Sequence, residues 1–309
     1  MVPYTDILNS NTSLKSTGAS PTAVFVGATN GIGKAALLAL ARHTISPRIY
    51  IVSRTHASLT PLISQLEDIN PAGTYIPIEG GDLTLLSNVD KASESIRSHG
   101  DDHLDMLIMS AGYITFASRI ESAEGLDEAT CISYYARMLF LVHLLPLLNA
   151  APSPRVLSVL AAGMEGQLWP DDFALKEKWH YSLMKAGGAA VSMTTLFLEE
   201  MRKRNPKIVL MHLHPGTVPD TGLVDKPEHI GWWMRLFFRA LVPVMRIFGY
   251  TVEESGERVL FAATNGRFRA VQGGGEGIAV GSDGTRGSGM YLVLADSRSR
   301  AKVGGPYSG

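Results

Sequence analysis

The chain has 309 residues, a formal net charge of −1, 45% hydrophobic residues and one cysteine. That length and balance suit a single α/β domain with insertions and leave no electrostatic footprint for nucleic acid. Cys131 alone cannot form an intrachain disulfide, which fits a reducing, cytoplasmic setting.

Residues 1–20 are polar and rich in Ser and Thr, with no charged segment ahead of an apolar run. They read as a loose N-terminal arm without a signal peptide, in which Asn11-Thr12-Ser13 is an idle glycosylation sequon. Thr22–Val26 reads as a short buried strand, followed at once by Gly27-Ala28-Thr29-Asn30-Gly31-Ile32-Gly33 and a helix over Lys34–Arg42. Arg48–Ser53 is a second strand, His56–Ile69 a helix stopped near Pro71, Thr74–Ile78 a third strand and Thr84–Ser98 a helix. Leu104–Met109 is a fourth strand running into Ser110-Ala111-Gly112, and Leu126–Leu148 is a long apolar helix. Arg155–Leu160 is a fifth strand, a helix over 181–204 carries Tyr181 and Lys185, and Lys207–Leu213 is a sixth strand. Gly273–Gly289 is glycine-rich and reads as a loop before a seventh strand, Met290–Leu294. Strands that alternate with helices, several of them apolar on both faces, predict a doubly wound parallel sheet covered on both sides.

The first strand–turn–helix unit is a dinucleotide pyrophosphate site. Gly27 permits the tight turn, Gly31 lets the backbone approach phosphate, and Gly33 lets the helix pack on the sheet. Thr29, Asn30 and Ile32 fill the rest of that turn. At the end of the second strand stands Arg54, where an acid would bind a ribose 2′-hydroxyl. A guanidinium there pairs with a 2′-phosphate, so NADP(H) is favoured over NAD(H). Tyr181 and Lys185 are four residues apart, one helix face, where an ammonium can acidify a phenol.

In order, Gly27/Gly31/Gly33, Asp82-Leu83, Leu107–Gly112, Tyr181/Lys185 and Pro215-Gly216-Thr217-Val218 resemble the short-chain dehydrogenase/reductase family over about residues 20–295. The resemblance implies a Rossmann sheet of strand order 3-2-1-4-5-6-7. It implies that Asp82 and Leu83 sit by the adenine, and that Ala111, Gly112, Pro215, Gly216 and Val218 line the cofactor. Tyr181 is then the acid/base, and Lys185 holds the nicotinamide ribose and lowers the phenol pKa. It also implies a homodimer or homotetramer built through the helices near 126–148 and 181–204. Three departures stand out. Met109-Ser110 replaces the family's Asn-Asn, Ser133 falls where an Asn shapes a proton-relay water, and Ala161 or Ala162 falls where the catalytic serine belongs. Ser158 lies about three residues too early, so Ser133 and Ser158 remain only auxiliary hydrogen-bonding candidates. The wider pattern is similar to fungal natural-product members with an incomplete tetrad.

Arg137, Trp169, Asp172 and Trp232 are candidates for the substrate pocket, with Arg137 either paired to an acid such as Asp172 or in a structural ion pair elsewhere. Residues 231–248 are rich in aromatics and carry three arginines and Pro243. They read as part of a substrate lid over about 219–250, as a helix lying on a membrane surface, or as an oligomer contact, but not as a spanning helix. His212 and His214 share a strand face without a further ligand nearby, so no metal site is expected. The leading expectation is an NADPH-dependent reductase, or the reverse dehydrogenase, for a bulky hydrophobic ketone or alcohol in secondary metabolism. The alternatives are a cyclase, isomerase or dehydratase on the same fold, and a nucleotide-binding protein without turnover.

Overall fold

The computed structural model describes residues 1–219, 221, 246, 249–271 and 275–302. Eight strands form one sheet: β1 Thr22–Val26, β2 Arg48–Ser53, β3 Thr74–Glu79, β4 Met106–Met109, β5 Arg155–Val159, β6 Val209–Leu213, β7 Met290–Val293 and β8 Ser299–Arg300. Their order is β3-β2-β1-β4-β5-β6-β7-β8. The first seven are parallel, as expected. The added eighth is a two-residue strand running antiparallel to β7, too short to carry a sequence signal.

Alternation along each strand divides the core into two layers. Phe25, Ile49, Ile51, Ile108, Leu157, Met211 and Tyr291 face one side, under helices α1 (Tyr4–Ser16), α2 (Gly31–His43), α3 (Thr60–Ile69) and α7 (Val252–Thr264). Val24, Val26, Tyr50, Leu107, Met109, Val156, Leu210 and Leu292 face the other, under α4 (Leu86–Ser98), α5 (Glu128–Ala150) and α6 (Leu183–Arg204). The sheet is therefore buried on both faces, which is why its strands read as continuous apolar runs. Helix α5 is long and apolar enough to cross a membrane, yet its Phe140, Leu141, Leu144 and Leu148 are core residues. Cys131–Tyr135 within it form a π-helical turn.

The expected loose arm is α1. Ile7 is fully buried, and Asn11 donates through Nδ2 to the Glu257 carboxylate at 2.7 Å and to its carbonyl at 2.9 Å. Glu257 also meets His43 at 3.1 Å. A mostly polar helix held by buried Ile7, partly buried Tyr4 and Leu14 and one buried amide offers little periodic signal, so the sequence reading missed it. Helix α7 was missed as well. Thr251 caps it by accepting from Glu254 N at 3.0 Å, and Gly256 lies flush on α2, where a Cβ would come within 2.5 Å of Ala35. Helix α2 starts at Gly31, earlier than the apolar pattern suggested, because Asn30 accepts from Gly31 N at 2.8 Å.

Candidate functional site

The carboxyl end of β1 runs into a turn that has room only for glycine. Gly27 has φ +89°, and a Cβ there would lie 2.3 Å from Ala111 N and 2.4 Å from Ala111 Cα. A Cβ on Gly33 would lie 2.2 Å from Ser110 Oγ and 2.4 Å from the Gly27 carbonyl. Ser110 Oγ donates to that carbonyl at 2.9 Å, and the N–H groups of Ser110 and Ala111 both reach Val26 O. The turns after β1 and β4 are thus locked together at the point where strand order reverses, with Ala111 and Gly112 on its rim. This is the crevice in which doubly wound sheets bind ligands, and the first-turn N–H groups of α2 at Ile32 and Gly33 face it with the helix's positive end. The geometry fits a dinucleotide pyrophosphate. Thr221, not singled out from sequence, closes on the same turn, since a Cβ on Gly31 would sit 3.0 Å from its carbonyl oxygen. Arg54, just beyond β2, is exposed and has no carboxylate partner among the described residues. Asp82 accepts from Thr84 N at 2.9 Å, and Leu83 is buried in the core. Pro215, Gly216 and Val218 follow β6, Gly216 at φ +79°.

Tyr181 and Lys185 do not share a helix face. Ser182 caps α6 by accepting from Lys185 N at 3.2 Å, so the helix starts at Leu183 and Tyr181 lies in the extended lead before it. The Lys185 ammonium donates to Trp179 O and stands 5.7 Å over the Trp169 ring. The Tyr181 hydroxyl instead donates to Asp127 Oδ1 at 3.1 Å. Burial first, then the Asp127 charge and hydrogen bond, raise the phenol above its ordinary pKa, while Arg119 opposes weakly. The expected acidification by Lys185 is therefore reversed here.

Asp127 is the residue the sequence reading missed. It caps α5, accepting from Thr130 N at 3.0 Å and Thr130 Oγ1 at 2.8 Å, and from Ile120 N at 3.2 Å. An Asp three residues before a Thr at the head of a predicted helix was the available signal. Beside the pair is a recess of about 10 Å³, the size of one water, lined by Tyr113, Thr115, Ser118, Asp127 and Tyr181.

Ser158 is fully buried on β5 and accepts from Arg137 Nη1 at 3.0 Å. It cannot touch a substrate, because its register places it inside the sheet opposite His212. Half-buried Ser133 sits on the π-helical turn. Ala161 lies beyond the end of β5 and offers no hydroxyl. Arg137 does not meet Asp172. Its guanidinium reaches Val159 O at 2.8 Å, Ala111 O at 2.6 Å, Ile132 O at 3.3 Å and Met109 O at 3.5 Å. Burial lowers its pKa to about 10, so it stays charged at neutral pH. Asp172 instead holds His180 Nδ1 at 2.9 Å and the N–H groups of Lys176 and Glu177, while His180 stacks on Trp169 with ring centroids 4.8 Å apart. His212 is fully buried with Nδ1 2.9 Å from Thr195 Oγ1 and Nε2 unpartnered. Burial, with smaller pushes from Arg137 and His214, lowers its pKa to about 3. No metal-binding cluster occurs among the described residues. Trp232 and the rest of the segment 231–248, Arg246 apart, lie outside them.

Residues 21–228 match the family model for short chain dehydrogenases. The chain is 36% identical over 298 residues to an NmrA-like family domain-containing oxidoreductase of an Aspergillus species, covering 96% of this chain and 86% of that one. It is 31% identical over 306 residues to a short-chain dehydrogenase/reductase of Stachybotrys chartarum, covering 93% and 82%. Among solved structures, NADPH-bound carbonyl reductase from chicken fatty liver superposes with a TM-score of 0.55 at 17% identity, covering 91% of this chain and 99% of that one. L-Sorbose reductase from Gluconobacter frateurii with NADPH and L-sorbose gives 0.56 at 19%, covering 80% and 90%. With the glycine turn, the strand order and a match over two thirds of its length, the chain belongs to the short-chain dehydrogenase/reductase family of oxidoreductases.

Proposed function

We propose that this protein is an NADPH-dependent reductase, working also in reverse as a dehydrogenase, on a bulky hydrophobic ketone or alcohol of secondary metabolism. The observation that carries the reading is the glycine turn, whose missing Cβ atoms leave backbone packed on backbone at the mouth of the crevice. Gly27, Thr29, Asn30, Gly31, Ile32 and Gly33 would hold the pyrophosphate, Asp82 and Leu83 the adenine, and Arg54 a 2′-phosphate. Ala111, Gly112, Pro215, Gly216 and Val218 would line the nicotinamide side. The two solved relatives named above are NADPH complexes, and a putative daunorubicin C-13 ketoreductase of a Streptomyces strain is 27% identical over 197 residues. Met164, Phe173, Trp179 and Met184 are exposed on the segment flanking Tyr181, which supports a hydrophobic substrate.

A nicotinamide held there would supply or accept the hydride. Tyr181 would supply the proton to a ketone oxygen; burial and Asp127 make its phenol a weaker acid in this arrangement, and the Lys185 ammonium moved beside it would lower that pKa again. Asp127 orients that proton until the substrate oxygen takes its place. Lys185 would hold the ribose after leaving Trp179. With Ala161 in the serine's place, the oxyanion lacks one donor, a loss worth ~10²–10³ in rate. The test is NADPH consumption with a panel of hydrophobic ketones. Tyr181→Phe should lower turnover at least ~100-fold, the scale of lost acid–base catalysis. Turnover within threefold of the parent would remove the phenol from the mechanism.

A second reading keeps the pocket but drops net redox chemistry, with Tyr181 moving a proton in cyclisation, isomerisation or dehydration. The engagement of Lys185 with Trp179, away from Tyr181, favours it. Assembly as a homodimer or homotetramer through α5 and α6, where Val142 and Leu196 are exposed, belongs to the same proposal, as does a cytoplasmic location. Light scattering on the purified protein tests the first, and a monomer would refute it.

A further inference from the structure

Arg137 is 2% exposed, yet among the described residues every partner of its guanidinium is neutral: four carbonyl oxygens and the Ser158 hydroxyl. Among the described residues no carboxylate pairs with it. Asp172 is taken by His180, and Glu165 accepts from Gly163 N and Thr195 Oγ1 at 3.1 Å each. Carbonyl dipoles solvate the cation without cancelling its charge, and an unpaired buried charge is costly enough to ask what it is for. The cation lies under Ala111 and Gly112; a Cβ added to Gly112 would stand 3.2 Å from Nη2. It therefore underlies the carboxyl ends of β4 and β5, in the half of a doubly wound sheet opposite the adenosine half β1–β3.

We propose that Arg137 is an electrostatic discriminator between the two redox forms of the nicotinamide cofactor, favouring the reduced form. This rests on the cofactor reading above. The oxidised ring carries a positive charge that the reduced ring lacks, and a fixed buried cation repels only the former. A ring charge held within about 10 Å of the guanidinium, at an effective dielectric of about 20, would change its binding constant on the order of tenfold or more. Such a site loads NADPH and releases NADP⁺, as a reductase needs. It does so by making the bound couple a weaker reductant, by about 30 mV for each tenfold preference.

The experiment measures Kd for NADPH and for NADP⁺ by calorimetry on the full chain and on three variants. The parent should bind NADPH at least tenfold more tightly than NADP⁺. Arg137→Gln, which keeps a donor and removes the charge, should bring the ratio within threefold of unity. Arg137→Lys, which keeps the charge and loses most carbonyl bonds, should retain it. Ser158→Asp places a carboxylate against the guanidinium and should also collapse the ratio, so the test survives if an Arg137 variant does not fold. A parent ratio near unity, or a ratio unmoved by both Arg137→Gln and Ser158→Asp, overturns the proposal. Collapse in Arg137→Lys as well would assign Arg137 a purely structural role. Failure of the parent to bind either nucleotide would instead refute the underlying cofactor reading.

Discussion

Three glycine-to-alanine substitutions separate backbone strain from steric exclusion. Gly187 lies exposed on α6 with nothing within 4 Å of a Cβ, so alanine adds only helix propensity and should stabilise by about 1 kcal/mol. Gly18 follows α1 at φ +78° in open space, so alanine meets only the left-handed penalty, about 1–2 kcal/mol. Gly27 combines φ +89° with backbone atoms of Ala111 at 2.3 and 2.4 Å, and no rotamer change can move a backbone. Adding an overpacking cost of about 1–3 kcal/mol to the strain gives about 2–5 kcal/mol lost. At about 2–4 °C per kcal/mol for a chain of this size, the melting temperature should rise a few degrees for Gly187→Ala. It should fall a few degrees for Gly18→Ala and on the order of 10 °C for Gly27→Ala. Differential scanning calorimetry reads all three. A Gly27→Ala protein melting within 2 °C of the parent would refute the packing of the β1 turn on Ala111, and the cofactor crevice with it.

Two further predictions concern the buried polar groups. His212 has an ordinary pKa of 6.5 when unfolded and about 3 when folded, so the unfolded chain takes up a proton that the folded one refuses. Its contribution is fully present above about pH 6.5 and is lost at about 1.4 kcal/mol per pH unit as pH falls toward 3. Urea titrations of the parent and His212→Asn at pH 7, 5 and 4 should show the parent's relative stability falling with pH, whereas a constant difference would contradict the burial. Asn11→Ala leaves the Glu257 carboxylate without its 2.7 Å donor and should cost about 1–3 kcal/mol in a thermal melt. A melt unchanged by that substitution would mean that α1 is not docked.

The sheet was legible because each parallel strand is apolar on both faces and is followed by a helix, and the observed strand order is the one expected. The glycine turn was legible because only Gly fits at 27 and 33. The Tyr181–Lys185 relation was not, since spacing of four means proximity only inside a helix, and the Ser182 cap starts that helix two residues too late. Arg137 was found from its place on an apolar helix, but its partners were not. Backbone carbonyls from β4 and β5 leave no mark in sequence, so a carboxylate was the only visible candidate. Helix α1 was hidden because its docking rests on Ile7, on partly buried Tyr4 and Leu14, and on the bond from Asn11 to the distant Glu257, a contact across 246 positions.

The measurement that bears most directly on the account is titration of the purified chain with NADPH and NADH, followed by nicotinamide fluorescence, in the parent and in Arg54→Ala. A charge-assisted bond to a 2′-phosphate is worth about 1.5–3 kcal/mol, or roughly ten- to a hundredfold. The account predicts that NADPH binds at least tenfold more tightly than NADH, and that Arg54→Ala removes most of the difference. Equal affinity for the two nucleotides, or no binding of either, would contradict it.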